Sequence, residues 1–138
     1  MDPVDRLSIG LVEDSDEDYY ALQRAFRDVG DVRRWSSGEA FFKAILDHPD
    51  LLTTVDLLML DLGLSGSIDG VHVAHTVRGA RGGADLPIVV LTGSAEESDI
   101  ERALEAGITE YEVKPQRFTD LRILVERSTA LVAGRPAA

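Results

Sequence analysis

The chain has 138 residues and a formal net charge of −11, with 44% hydrophobic residues and no cysteine. This size fits one compact domain. The acidic balance argues against direct binding to nucleic acid or to an anionic membrane, and the lack of cysteine excludes disulfides and thiolate catalysis. No apolar run approaches the roughly 18 residues of a membrane span. With no signal-peptide core at its start, we predict a cytoplasmic protein.

Short apolar strands and amphipathic helices alternate in the first half of the chain. Residues 8–12 are apolar and β-branched, which indicates a buried strand. Ser15, with Asp18 three residues later, resembles a capping box and predicts a helix start. The acidic residues after this strand are typical of a helix N-terminus, although Asp16 could sit near a metal. We predict strands over 8–12 and 32–35, and helices that start at Ser15 and Ser37 and stop at Gly30 and His48.

The second half contains the most apolar strand. Residues 57–60 are all apolar and end on Asp61, as in a central parallel strand covered by helices on both faces. A second capping box, Ser94 with Glu97, predicts another helix start. We further predict a loop over 63–70, a helix over 71–77, strands over 88–91 and 111–113, and a final amphipathic helix that includes 121–132.

This β-α order, repeated five times, predicts a doubly wound parallel sheet with helices on both faces. We expect one domain over residues 1–138, with a core from about 7 to 133 and a frayed tail over 134–138.

Polar side chains follow four of the predicted strands. The first strand ends on Glu13 and Asp14, the third on Asp61, the fourth on Thr92 and the fifth on Lys114. In an open parallel sheet, ligands bind beyond these carboxyl ends. Three clustered carboxylates repel one another, and a hard divalent cation such as Mg²⁺ relieves the repulsion. Asp61 can then stay ionised and act as a nucleophile.

The same residues suit a phosphoryl group. Its oxygens would lie on the metal, on the Lys114 ammonium and on the Thr92 hydroxyl, which neutralise charge during transfer. Gly93 would leave room for an oxygen, and helix amides after Ser94 would add positive potential. Lys114 is one of two lysines beside twelve arginines, and a compact ammonium serves a phosphoryl oxygen as a point charge.

Four segments, at residues 11–14, 58–61, 90–93 and 113–115, resemble the signature of response-regulator receiver domains of two-component systems, the chemotaxis-regulator type. The similarity covers about residues 7 to 133. It implies a flavodoxin-like sheet of five strands in the order 2-1-3-4-5. It also implies a stand-alone signalling protein rather than an enzyme.

The resemblance implies a role for each site residue. Asp61 would be the phospho-acceptor, with Asp14 binding Mg²⁺ (or Mn²⁺) directly, Glu13 binding it through water and the Gly63 carbonyl as a further ligand. The phosphodonor would be a histidine kinase or a histidine phosphotransfer protein. Thr92 and Tyr111 match the family's switch pair, and the competing interpretation of Tyr111 is an edge-strand aromatic that covers the sheet.

The resemblance also implies a switched surface over about residues 95–133, which would bind an unidentified downstream protein or a second copy of the chain. Ser65 stands where the family usually has proline, and the loop before Asp69 is one residue longer than in the chemotaxis type. Gly63 and Ser94 occupy positions that tune hydrolysis of the phosphoryl group. Since Gly63 has no side chain to shield that group, we expect a phosphorylated lifetime that is not unusually long.

Several alternatives remain at this stage. The protein could be a phosphorelay shuttle or a phosphate sink, or a receiver that only binds partners. A haloacid-dehalogenase-like phosphohydrolase would need an aspartate two residues after the nucleophile, where Gly63 stands. A flavodoxin-like FMN binder would need a phosphate loop after the first strand, where Glu13 and Asp14 would repel phosphate.

Overall fold

Five strands alternate with five α-helices in the computed structural model, which describes residues 6–134. The strands are β1 (Leu7–Val12), β2 (Gly30–Trp35), β3 (Leu57–Leu60), β4 (Ile88–Thr92) and β5 (Glu110–Val113). The helices are α1 (Asp16–Ala25), α2 (Gly38–Asp47), α3 (Gly70–Gly79), α4 (Glu97–Glu105) and α5 (Phe118–Ala133). Most of the predicted tail lies outside the described residues. Within 6–134, no helix is long and apolar enough to cross a membrane.

All neighbouring strands are parallel, and the sheet order is β2-β1-β3-β4-β5, which confirms the predicted topology. The register aligns the strand ends. Val12 pairs with Leu60, and Thr92 pairs with Val113. The residues that follow these pairs therefore emerge at one edge of the sheet.

The sheet separates two hydrophobic cores. Leu58 and Leu60 belong to the core on one face, whereas Leu57 and Met59 belong to the core on the other. This alternation follows from the two-residue period of a strand. Every residue of β3 is buried, so the prediction of a central strand covered on both sides is confirmed.

Two helix starts follow their serine caps. The Ser15 Oγ accepts a hydrogen bond from the Asp18 N–H, and the Ser37 Oγ accepts one from the Ala40 N–H. These bonds satisfy N–H groups that the first helical turn leaves without partners. The predicted starts of α1 and α2 are confirmed.

The predicted capping box of Ser94 with Glu97 is wrong. Helix α4 starts at Glu97, after Glu96, which makes no side-chain cap. The Ser94 hydroxyl instead donates to Asp99 Oδ2 at 2.6 Å and accepts from the Glu96 N–H at 3.2 Å. Serine competes for backbone groups in non-helical turns as readily as at caps, so the connection after β4 is longer than the pattern indicated.

Helix α1 ends at Ala25, before the predicted Gly30. Phe26 is still fully buried, but it belongs to a turn in which its carbonyl accepts from the N–H groups of Val29 and Gly30. Gly30 already belongs to β2, and a Cβ there would lie 2.3 Å from the Leu7 carbonyl oxygen. The apolar spacing continues past the helix because the turn also packs on the core.

Phe41 offers a test of the core under α2. Its side chain is fully buried, and its ring centroid lies 4.8 Å from that of Trp35. Because the substitution leaves a cavity, we expect Phe41→Ala to lower the free energy of unfolding by about 3–5 kcal/mol in urea denaturation. Leu46 is on the same helix and 80% exposed, so Leu46→Ala should change stability by less than about 0.5 kcal/mol. Equal losses for the two variants would contradict this packing.

Candidate functional site

The aligned strand ends bring the predicted polar residues to one edge of the sheet. Glu13, Asp61 and Thr92 are buried there, whereas Asp14 is exposed. Buried charges require partners, because an isolated ion loses its hydration without compensation. The partners of these carboxylates therefore define the chemistry of the site.

Lys114 supplies the positive charge. Its Nζ lies 3.0 Å from Asp61 Oδ2, 3.0 Å from Glu13 Oε2 and 2.7 Å from Asp18 Oδ2. Burial opposes the charge, but hydrogen bonds to Asp18, Asp61 and Glu13 hold the pKa of Lys114 above its usual value. The ammonium is therefore kept charged between the first strand, the third strand and the start of α1.

Asp18 is the contact that sequence reasoning missed. It has the appearance of an ordinary acidic residue in the first turn of a helix, and it also donates its N–H to the Ser15 cap. One signal could have identified Asp18: it lies in the first turn of α1, and the N-terminus of α1 faces the same sheet edge as Glu13. Asp16 instead forms an ion pair with Arg34 on β2, and Arg34 also donates to the Glu13 carbonyl.

Three carboxylates are grouped closely enough to hold a metal ion. One oxygen from each of Glu13, Asp14 and Asp61 lies within 4.8 Å of the others. Carboxylate oxygens are the ligands that Mg²⁺ prefers, and one or two of them suffice beside waters. The donor set therefore fits a hard divalent cation.

The electrostatics reflect a shortage of positive charge. Burial, assisted by the negative charge of Asp61, raises the pKa of Glu13 to about 7, against hydrogen bonds from the Ser15 N–H and Lys114. The slight burial of the Asp14 carboxylate raises its pKa, but hydrogen bonds from the Glu13 side chain and from Ser65 outweigh this effect. The pKa of Asp14 is therefore below its ordinary value. Without a metal, protonation of Glu13 as the pH falls through about 7 relieves part of the repulsion among these carboxylates.

The backbone around Asp61 is closely packed. The Gly63 N–H donates to Asp61 Oδ1 at 3.1 Å, and a Cβ at Gly63 would lie 3.8 Å from the same oxygen. A Cβ at Gly70 would lie only 2.3 Å from the Asp61 carbonyl oxygen. Gly70 thus lets α3 begin against the backbone of Asp61, a role that sequence reasoning missed. That the Gly63 carbonyl binds metal stays a prediction.

The predicted switch residues lie on neighbouring strands. Thr92 is buried, and its carbonyl accepts from the Lys114 N–H at 2.8 Å. The Tyr111 hydroxyl donates to the Ser94 carbonyl at 2.7 Å, and burial raises the pKa of this phenol. Tyr111 is thus hydrogen-bonded to the connection that follows Thr92.

Two expectations concern the connection between β4 and α4. Residues 94–96 are not helical, so the expectation of helix amides directly after Ser94 is wrong. A Cβ at Gly93 would meet no atom within 4 Å among the described residues. The small size of Gly93 is therefore not required by the packing of the described chain, and its predicted role beside a phosphoryl oxygen stays a prediction.

The fold and the site together define a class of protein. The chain matches the family model described as response regulator receiver domain over residues 9–126. It belongs to that family, whose members are signalling proteins of two-component systems. The family model matches the receiver prediction and not the phosphohydrolase or flavin-binding alternatives.

Individual relatives agree with this assignment. The probable methanogenesis regulatory protein FilR2 of Methanothrix harundinacea is 31% identical over 133 residues, covering 91% of this chain and 83% of FilR2. The chain spans only 40% to 53% of several further relatives, which are named transcriptional regulatory proteins.

Solved structures show the same architecture. The phosphorylated cyanobacterial phytochrome response regulator RcpA matches with a TM-score of 0.82 and 23% identity, covering 96% of this chain and 99% of that one. The Mn²⁺-bound form of response regulator Rcp1 matches with a TM-score of 0.74 and 25% identity, covering 88% and 90%. The first likeness concerns the fold, whereas the second also provides a relative with a divalent cation.

The proton on Glu13 makes stability depend on pH when divalent cations are removed. The pKa of Glu13 in the folded protein is about 7, above the ordinary 4.5. Protonation of Glu13 therefore stabilises the folded state fully below about pH 4.5, and this stabilisation is lost as pH rises through about 7. Because Glu13→Gln mimics the protonated side chain, we expect it to be more stable than wild type by about 1–3 kcal/mol at about pH 8.

Urea denaturation in EDTA at about pH 8 and about pH 5 measures this difference, which should shrink at the lower pH. Glu17→Gln, at an exposed position in the first turn of α1, is the control. An equal advantage for Glu13→Gln at both pH values would contradict the raised pKa.

Proposed function

We propose that Asp61 accepts a phosphoryl group from the phosphohistidine of a histidine kinase or a histidine phosphotransfer protein, with Mg²⁺ or Mn²⁺ in the site. The observation that carries the proposal is the position of Asp61 at the end of β3, nine-tenths buried and bonded to Lys114. Membership of the receiver family supports it.

The transfer needs little from the protein beyond position and charge. An Asp61 carboxylate oxygen forms a bond to phosphorus, the phosphorus–nitrogen bond of the phosphohistidine breaks, and the electron pair stays on the leaving imidazole. Lys114 and the Thr92 hydroxyl would then stabilise the phosphoryl oxygens. Glu13, Asp14 and Asp61 would hold the metal ion, which supplies positive charge to those oxygens when bound.

Phosphorylation would be reported through β4, β5 and the adjoining helices. The Tyr111 hydroxyl donates to the Ser94 carbonyl, two residues after Thr92, so a movement of Thr92 and its connection would be transmitted to Tyr111 through this bond. The surface over residues 95–133 carries exposed apolar side chains at Leu104, Val113 and Ile123. These side chains support an interaction with a downstream protein or a second copy.

A small-molecule phosphodonor tests the acceptor directly. Incubation with acetyl phosphate and Mg²⁺ should add one phosphoryl group to the intact mass, because Asp61 needs only a reactive donor and the metal. Asp61→Asn and an EDTA-treated sample are the controls, and both should lose the adduct. An adduct that persists in Asp61→Asn, or none in wild type at the shortest times, would contradict the proposal.

Gly63 should control how long the phosphoryl group persists. The positive-φ glycines of the described chain are Gly66, Gly82 and Gly107, so Gly63 can take a side chain without backbone strain. We expect Gly63→Val to lengthen the half-life several-fold, because its methyl groups would hinder water at Asp61. Mass spectrometry after removal of the donor measures the half-life. A wild-type half-life of many hours, or no effect of the valine, would contradict this role.

A further inference from the structure

The connection between β3 and α3, residues 62–69, is hydrogen-bonded to two carboxylates from other parts of the chain. We refer to this segment as the acceptor loop. On one side, the Ser65 N–H donates to Asp14 Oδ2 at 3.1 Å. On the other side, Glu39 Oε1 accepts from the N–H groups of Ser67 and Ile68, at 3.0 and 3.1 Å, and from the Ser67 hydroxyl at 3.2 Å.

The start of α2 is shaped to receive the acceptor loop. A Cβ at Gly38 would lie 2.6 Å from Ile68 Cγ2, so a larger residue there would displace the loop. Gly66 adopts a φ of +99°, and a Cβ there would lie 2.9 Å from both Glu39 carboxylate oxygens. The backbone N–H of Glu39 donates to its own carboxylate, and this bond, together with those from Ser67 and Ile68, lowers the pKa of Glu39. Glu39 therefore faces the loop as an ionised acceptor.

The hydrogen bonds to Asp14 and to Glu39 restrain the same short segment. Only two residues lie between Ser65 and Ile68, so the bonds at Glu39 restrict the conformations through which Ser65 could leave Asp14. The bond at Ser65 requires a backbone N–H, which proline lacks. Asp14 is thus oriented by a donor that is itself held in place from α2.

We propose that Glu39 is a positioning residue for the divalent cation site, and that it acts through the acceptor loop by holding the Ser65 N–H on Asp14. The inference rests on the proposed function, because it assigns Asp14 to that site. It extends the site to α2, which carries none of the three grouped carboxylates, Glu13, Asp14 and Asp61.

The expected effect is a change in metal affinity rather than in folding. Loss of a direct hydrogen-bond partner of a metal ligand costs about 10- to 100-fold in affinity. Glu39 is exposed and acts on Asp14 only through the loop, so its loss should have a smaller effect than loss of a direct partner. We expect Glu39→Ala to weaken Mg²⁺ binding by about three- to ten-fold. Glu39→Gln keeps a carbonyl oxygen as an acceptor and should retain most of the affinity.

A Mg²⁺ titration of ¹⁵N-labelled, unphosphorylated protein followed by NMR measures the dissociation constant. The same samples report hydrogen exchange at the Ser67 and Ile68 amides, which should become faster in Glu39→Ala. Glu17→Ala is the matched control, because it also removes one exposed carboxylate from the first turn of a helix. Urea midpoints establish that the variants remain folded.

A second pair of variants tests the same link from the loop. Ser65→Pro removes the N–H and should weaken Mg²⁺ binding at least as much as Glu39→Ala, whereas Ser65→Ala keeps the N–H and should bind more tightly than Ser65→Pro. If Glu39→Ala does not fold, Glu39→Gln and this pair decide the matter. Wild-type affinity in Glu39→Ala or in Ser65→Pro overturns the inference, as does an equal loss in Glu17→Ala. Failure of the wild type to bind Mg²⁺ would instead overturn the proposed metal site.

Discussion

One ammonium shared among three carboxylates is the contact on which the site depends. Lys114 lies within 3.0 Å of Glu13, Asp18 and Asp61, and the exposed carboxylate of Asp14 is close by. A single positive charge cannot balance this group, and burial, assisted by the negative charge of Asp61, raises the pKa of Glu13 to about 7. The same imbalance makes the site attractive to a hard divalent cation, which would replace the proton and supply the missing charge.

The parallel sheet makes this crowding possible. Two apolar cores hold β1 and β3 from both faces, and the register brings their ends to the same edge. The Lys114 N–H is bonded to the Thr92 carbonyl, so the lysine enters the site from a fixed backbone. Burial of apolar side chains thus supplies the free energy that holds like charges together, and function occupies the edge that the cores leave polar.

The connections around the site are held mainly by polar contacts. Ser94 bonds to Asp99, Tyr111 bonds to the Ser94 carbonyl, and Glu39 holds the acceptor loop. Exposed or half-buried hydrogen bonds contribute little net stability each, so such connections can rearrange at lower cost than the packed strands. This division fits the proposed function, in which Asp61 would keep its position while the connections around it respond to the phosphoryl group.

The sequence by itself determined the β-α alternation, the central strand and the five residues at the strand ends, because apolar runs and their period are local signals. The strand order is not a local signal, and it was implied only by the resemblance to receiver domains. The sequence also predicted the caps at Ser15 and Ser37. It failed at Ser94, where a turn and a cap offer the same serine similar bonds. Only the tertiary structure decided that Asp18 contacts Lys114, 96 residues away, and that Glu39 holds Ser67. These contacts join a half-buried and an exposed carboxylate to distant donors, and no local pattern distinguishes such a carboxylate from any other helix-start acid until the chain is folded.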